Sequence, residues 1–272
     1  MSADDFIRYF QHALKQGQRE FGILGGEPMM APHFIPIMQF MADNRFYFDQ
    51  FRLFSNLFCT DAVQQLADID MSAHGKDYRN YLVWNNSVLY KKDKKIIDMV
   101  HANMSTLLRG RFGNSIRPLM SLTLTTCTTL DDLAYLPICR DLFGINALRV
   151  ALDVGTHASF DEHHVLSVFT FLKKERFSFS VDTCGFLPPS LFSEDTREKL
   201  QGLGVSCTSY ACFGFCGDVT PTGKLIPCMP HLCDTNTLNF LDTDWQSAVL
   251  FYRAFPFTHP CKKGAQHESK SN

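Results

Sequence analysis

Apolar residues in this chain switch repeatedly between two spacings, and that alternation restricts the fold more than any other feature. Residues 21–24, 51–58, 78–86, 116–126, 147–154 and 177–183 read as short strands rich in Leu, Ile, Val, Phe and Thr. Residues 4–17, 33–44, 61–69, 92–108, 130–142, 161–176 and 193–203 carry apolar side chains at helical spacing, as with Ile96, Ile97, Val100 and Met104. Gly17 and Gly204 are placed as helix stops and Asp161 as an N-cap. About six strand–helix units in strict alternation predict a parallel sheet with crossover helices, doubly wound or barrel-like. No repeat or low-complexity run interrupts the series, and residues 262–272 form a polar tail expected to be disordered.

The last quarter departs from this rhythm. Residues 205–228 read as a loop followed by a hairpin, with Pro221, Thr222 and Gly223 at the turn, and a helix is expected over 242–254. Six of the ten cysteines fall here: Cys207, Cys212, Cys216, Cys228, Cys233 and Cys261. Cys59, Cys127, Cys139 and Cys184 are dispersed along apolar segments and read as buried thiols. The acidic start, MSADDFIRYF, is not a secretory signal and no apolar run reaches membrane-spanning length. A cytoplasmic location follows, and there metal or cluster ligation is the stronger reading of crowded cysteines than disulfides. Four thiolates are the usual complement of an iron–sulfur cluster or a structural zinc, and a set of buried thiols is the plain alternative. The formal net charge of −2 gives no argument for nucleic acid or an anionic membrane as partner.

The first predicted strand ends in Gly25-Gly26-Glu27-Pro28. Paired glycines permit positive φ and let a ligand lie against the backbone, and the carboxylate of Glu27 suits an ammonium group. The bland reading is a strand-to-helix turn with a solvated glutamate. Polar residues end the other strands: Ser55 and Asn56, Asn85 and Asn86, Thr125 and Thr126, Asp153, and Asp182. In a barrel such positions line the site, although Asn and Asp also end strands for local reasons. His157, His163 and His164 flank a helix start and read as surface or capping residues.

Gly25-Gly26-Glu27-Pro28, behind an apolar strand and before a helix, resembles the GGEP motif of the radical S-adenosylmethionine (radical SAM) enzymes. The resemblance implies a partial parallel (β/α) barrel over residues 1–204, with Gly25, Gly26, Glu27 and Pro28 at the amino group of S-adenosylmethionine. Ser55-Asn56 looks like the Thr-Asn that follows the next strand in many members. Asn85 holds roughly the place of a ribose-contacting residue. Cys212, then Gly223, then Cys228 within P-T-G-K-L-I-P-C, resembles the SPASM or shorter twitch domain. That implies a small cysteine-rich hairpin lobe over 205–272 and an auxiliary [4Fe–4S] cluster, with the six C-terminal cysteines as its candidate ligands.

One part of the family pattern is not in this sequence. The Cys-x3-Cys-x2-Cys loop and the strand before it would precede the first helix here, and no cysteine precedes Cys59. Cys212 and Cys216 have the first spacing, but Val219 stands at the third position. The expectation is therefore a partial barrel lacking its first strand, from an N-terminally truncated enzyme that modifies a peptide or small metabolite. An intact enzyme would generate a 5′-deoxyadenosyl radical, and an electron-donor protein would be a further partner. The alternative is a non-catalytic relative acting as an iron–sulfur or zinc-containing binding or electron-transfer module.

Overall fold

The computed structural model describes residues 1–72, 79–85, 93–152, 161–181, 192–205, 217–226 and 237–254. The first sheet has six strands: β1 (Glu20–Ile23), β2 (Gln50–Ser55), β3 (Arg79–Asn85), β4 (Arg117–Leu124), β5 (Ala147–Leu152) and β6 (Ser178–Val181). It is a parallel sheet whose spatial order is the sequence order, β1-β2-β3-β4-β5-β6. A doubly wound sheet reverses direction at a switch point. This one does not, which matches winding toward a partial (β/α) barrel. The strand register sets Gly22 beside Arg52, Arg52 beside Tyr81, and Ser55 beside Trp84.

The helices are α1 (Ala3–Lys15), α2 (Phe34–Asp43), α3 (Thr60–Ala67), α4 (Lys94–Arg109), α5 (Arg111–Ser115), α6 (Leu130–Leu133), α7 (Tyr135–Phe143), α8 (Glu162–Lys174), α9 (Glu194–Gly202) and α10 (Trp245–Ala254). Pro36 occupies the first turn of α2, where a missing N–H is harmless. The expected helix 130–142 is two helices: a Thr129–Asp132 capping box opens α6. Pro137 then lies in the first turn of α7, where it needs no N–H bond. α5 was not expected at all. Among the described residues, no helix is long and apolar enough to cross a membrane.

A second sheet joins β7 (Asp218–Val219), β8 (Lys224–Ile226) and β9 (Leu238–Asn239). β7 and β8 run antiparallel, with Gly223 at φ +77° in the turn, so the expected hairpin strands are present. The cysteines around them lie outside the described residues.

The chain divides into two compact units. In the first, Met1–Met120 with Pro221–Lys224 and Asn239–Asp244, an aromatic cluster seats α1 on the sheet. The Phe10 ring lies 4.6 Å from Phe21, 5.3 Å from Phe40 and 6.2 Å from Phe48. Phe48 and Phe51 are fully buried, each burial stabilising by about 2 kcal/mol. α3 and α4 approach closely: a methyl on Gly110 would fall 2.4 Å from the Ala67 carbonyl oxygen.

The second unit holds 121–220, 225–238 and 245–272. Gly144, at φ +67°, ends α7 in the left-handed conformation that glycine adopts without strain. Glu162 at the start of α8 accepts from Ser193 N (2.6 Å), Ser193 Oγ (2.7 Å) and Thr196 Oγ1 (2.6 Å), fastening the first turn of α9. Tyr252 of α10 is fully buried; its hydroxyl donates to the Leu225 carbonyl and accepts from Leu238 N at 3.3 Å.

Candidate functional site: a glutamate held at the end of the first strand

β1 stops at Ile23, and the chain leaves it through Leu24, Gly25 and Gly26. Gly25 has φ +149°, and an added Cβ on either glycine would meet nothing within 4 Å. Backbone conformation, not crowding, requires glycine at Gly25, and the space above the pair is open. Glu27 then caps a short 3-10 turn, Pro28–Met30.

The Glu27 carboxylate is not solvated at random. Oε1 accepts from Ser55 Oγ at 2.8 Å and from Met29 N at 3.1 Å, and Oε2 accepts from Asn56 N at 2.7 Å. Two loops, one after β1 and one after β2, thus meet on one side chain. A carboxylate offers about four acceptor positions. Three are taken by the protein, which fixes the group and leaves Oε2 able to accept from a further donor. Glu27 is half-buried.

The second loop is built to present those donors. Ser55 is fully buried and its Oγ also accepts from Leu57 N at 2.9 Å; Asn56 Oδ1 accepts from Phe58 N at 3.0 Å. These are local turns that Ser and Asn form readily. Leu57 has φ +63° and is fully buried, a conformation costing about 1–2 kcal/mol for a residue with a Cβ. No strand can run through it, which is why β2 ends at Ser55 and not at residue 58. Asn103 of α4, itself buried, donates from Nδ2 to the Leu57 carbonyl at 2.8 Å and to Thr60 Oγ1 at 3.2 Å. Asn103 was not singled out from sequence. Its signal was a polar residue within the buried stripe Val100, Asn103, Met104 and Leu107.

The expected site residues fall as follows. Gly25, Gly26, Glu27, Pro28, Ser55 and Asn56 come together in this arrangement. Asn85 is the last residue of β3, one beyond Trp84, the register partner of Ser55, so it ends its strand beside the Asn56 loop. Thr125 is drawn into a turn, its N donating to Thr128 Oγ1 at 3.0 Å and its Oγ1 accepting from Cys127 N at 3.2 Å. Thr126, Cys127, Asp131 and His164 line an open depression in the second unit. His163 is exposed, with its backbone N donating to the cap Asp161 at 3.0 Å. Asn86, Asp153, His157 and Asp182 lie outside the described residues.

So do all six C-terminal cysteines, Cys207, Cys212, Cys216, Cys228, Cys233 and Cys261, and also Cys184. Among the described residues no three His, Cys, Asp or Glu side chains gather as metal ligands. The expectation of buried thiols holds for Cys139 alone of the three described: Cys59 is half-buried and Cys127 exposed. Cys59 is the N-cap of α3, and Cys127 sits in the tight turn after β4, so neither lies within an element's apolar face.

The chain matches no protein-family model and no curated protein by sequence. Its fold does match solved structures. Streptococcus suis SuiB bound to S-adenosylmethionine superimposes with TM-score 0.59 at 14% identity, over 96% of this chain and 62% of that one. SuiB bound to the precursor peptide SuiA gives the same values. A third SuiB structure gives 0.57 at 13% identity, over 94% and 60%. The chain therefore spans about three-fifths of the length of these proteins, and what it shares with them is the fold.

Proposed function

We propose that the Glu27 site binds the ammonium group of S-adenosylmethionine and that the protein is a radical SAM-type protein acting on a peptide. The observation that carries this is the glutamate itself: fixed by three donors from two strand-end loops, with acceptor capacity left and bare glycines beside it. The residues fit the group. Glu27 would take the ammonium in a charge-assisted hydrogen bond, and Gly25 and Gly26 allow the methionine moiety to lie close to the backbone. Ser55 and Asn56 hold the carboxylate in place, and Asn85 ends its strand within the same row of loops. The peptide substrate rests on fold likeness to SuiB, which was crystallised with its precursor peptide. Such likeness is an argument from analogy.

Bound S-adenosylmethionine supplies a 5′-deoxyadenosyl radical when a [4Fe–4S] cluster reduces it. The Cys-x3-Cys-x2-Cys set for that cluster is not among these 272 residues, so the residues present do not fit it. A second reading is a non-catalytic relative acting as an iron–sulfur or zinc-containing binding or electron-transfer module. In either reading residues 1–204 act as the barrel portion. Residues 205–272 act as a cysteine-rich lobe for an auxiliary iron–sulfur cluster or zinc.

Calorimetric titration with S-adenosylmethionine tests the site. Wild type binds, and Glu27→Gln, which keeps the shape and removes the charge, weakens binding about tenfold or more, the worth of one charge-assisted bond. Equal affinities for the two proteins remove Glu27 from the site.

A further inference from the structure

The strands that carry the Glu27 loops present two different faces. Phe21, Phe51, Leu53, Leu82 and Trp84 point to the helices, and the last four are fully buried. The opposite face carries Gly22, Arg52 and Tyr81 side by side in register across β1, β2 and β3. Neighbouring strands lie about 4.8 Å apart, so the guanidinium and the phenol stem from adjacent positions. Arg52 is exposed and Tyr81 half-buried, and neither side chain has a hydrogen bond, ion pair or ring contact among the described residues. Gly22 leaves the floor beside Arg52 bare: an added Cβ there would meet only backbone and Cβ atoms of Arg52, at 3.6 Å or more. Arg79, exposed, with its backbone N donating to the Asp49 carbonyl at 3.3 Å and its side chain likewise without a partner, stands one step down the same face of β3. Among the described residues of these three strands the face has one carboxylate, Glu20, which accepts from Gln50 Nε2 at 3.0 Å and pairs with neither guanidinium.

We propose that this row is an anion-recognition subsite, with Arg52 and Tyr81 as its donors, for a carboxylate of the peptide substrate. The guanidinium of Arg52 and the phenol of Tyr81 stem from adjacent register positions without a hydrogen bond or ion pair of their own, and a carboxylate accepts from both kinds of donor. The anion is not the carboxylate of S-adenosylmethionine. Arg52 lies three residues before Ser55, about 10 Å along the strand. It also stems from the opposite face of β2 to Ser55, so the anion is assigned to a second molecule and not to the amino-acid head on Glu27. The subsite instead takes a second molecule, and it selects an acidic residue in it. The proposal rests on the peptide-modifying reading above and adds the substrate's chemical class.

The test uses the full chain and two short fluorescein-labelled peptides that differ only in a central Glu or Gln. Fluorescence polarisation at low salt gives their affinities, since an exposed ion pair is screened as salt rises. The Glu peptide binds about tenfold tighter than the Gln peptide. Arg52→Gln abolishes that preference, Arg52→Lys keeps part of it, and Tyr81→Phe reduces it. The melting temperature and the affinity for S-adenosylmethionine stay unchanged in all three. Acetate competes with the Glu peptide at least as well as inorganic phosphate does. Equal affinity for the two peptides, or a Glu preference that survives Arg52→Gln, overturns the subsite. Displacement by phosphate at far lower concentration than acetate assigns the row to a phosphoryl group and also overturns it. Failure of the wild type to bind S-adenosylmethionine sinks the functional reading instead, and the two failures are read out separately.

Discussion

Replacing Asn103 with Leu tests how the second loop is held. The substitution is close in size and deletes both hydrogen bonds of the amide nitrogen. The bond to the Leu57 carbonyl, 2.8 Å and buried at both ends, contributes about 1 kcal/mol net. Its loss also strands a buried carbonyl, at a cost of about 1–2 kcal/mol. The longer, partly buried bond to Thr60 adds about 0.5 kcal/mol. The sum is about 3 kcal/mol, a fall in melting temperature of roughly 6–12 °C for a chain of this size. Urea denaturation of wild type, Asn103→Leu and Asn103→Ala measures it. Part of the effect is local: with its carbonyl released, Leu57 relaxes from φ +63° toward ordinary values, and the Ser55 and Asn56 donors lose their aim at Glu27. Binding of S-adenosylmethionine therefore falls at temperatures where the variant is still folded. A stability change within about 0.5 kcal/mol, the range of a neutral surface substitution, refutes the reasoning.

Two further outcomes follow from packing and charge. The Thr196 and Ser193 hydrogen bonds, with the Ser193 backbone N–H, hold the Glu162 carboxyl below its usual value. Its contribution is therefore complete above the ordinary carboxylate range and is lost as pH falls through the lowered folded value; Glu162→Gln makes the acid limb of a stability–pH curve shallower, and an unchanged limb contradicts this. Gly110→Ala drives a methyl into the Ala67 carbonyl and Cβ, at 2.4 and 2.8 Å, and destabilises by about 1–3 kcal/mol in denaturant titration; a neutral result means that α3 and α4 slide apart freely.

Much of the architecture was legible because it depends on local period. Strands at 21–24, 147–154 and 177–183 appear within a few residues of their predicted places, and the caps Asp161 and Gly204 fall where their chemistry puts them. Where the reading slipped, a backbone conformation or a proline intervened: Leu57 cuts short the strand expected to residue 58, and Thr129 with Pro137 divides one helix into two. At the candidate site, Glu27 was legible from its glycines and Ser55-Asn56 from position. Their mutual hydrogen bonds were not, because residues 28 positions apart meet only through strand register. Asn103 is farther still, 46 residues from Leu57, and nothing in its neighbourhood distinguishes it from an amide left in a helix stripe by chance. The row of Gly22, Arg52 and Tyr81 likewise exists only once three strands are aligned.

The fixed carboxylate of Glu27 has a kinetic consequence. A free glutamate loses about 1–2 kcal/mol of rotamer freedom when a ligand stills it. Here Ser55, Met29 and Asn56 still it during folding, before any ligand arrives. Association then needs no side-chain rearrangement, so cations of different shape reach Glu27 at similar speeds. Discrimination among them falls on how long each stays, and that residence time is set by what the rest of the molecule meets beyond its ammonium group.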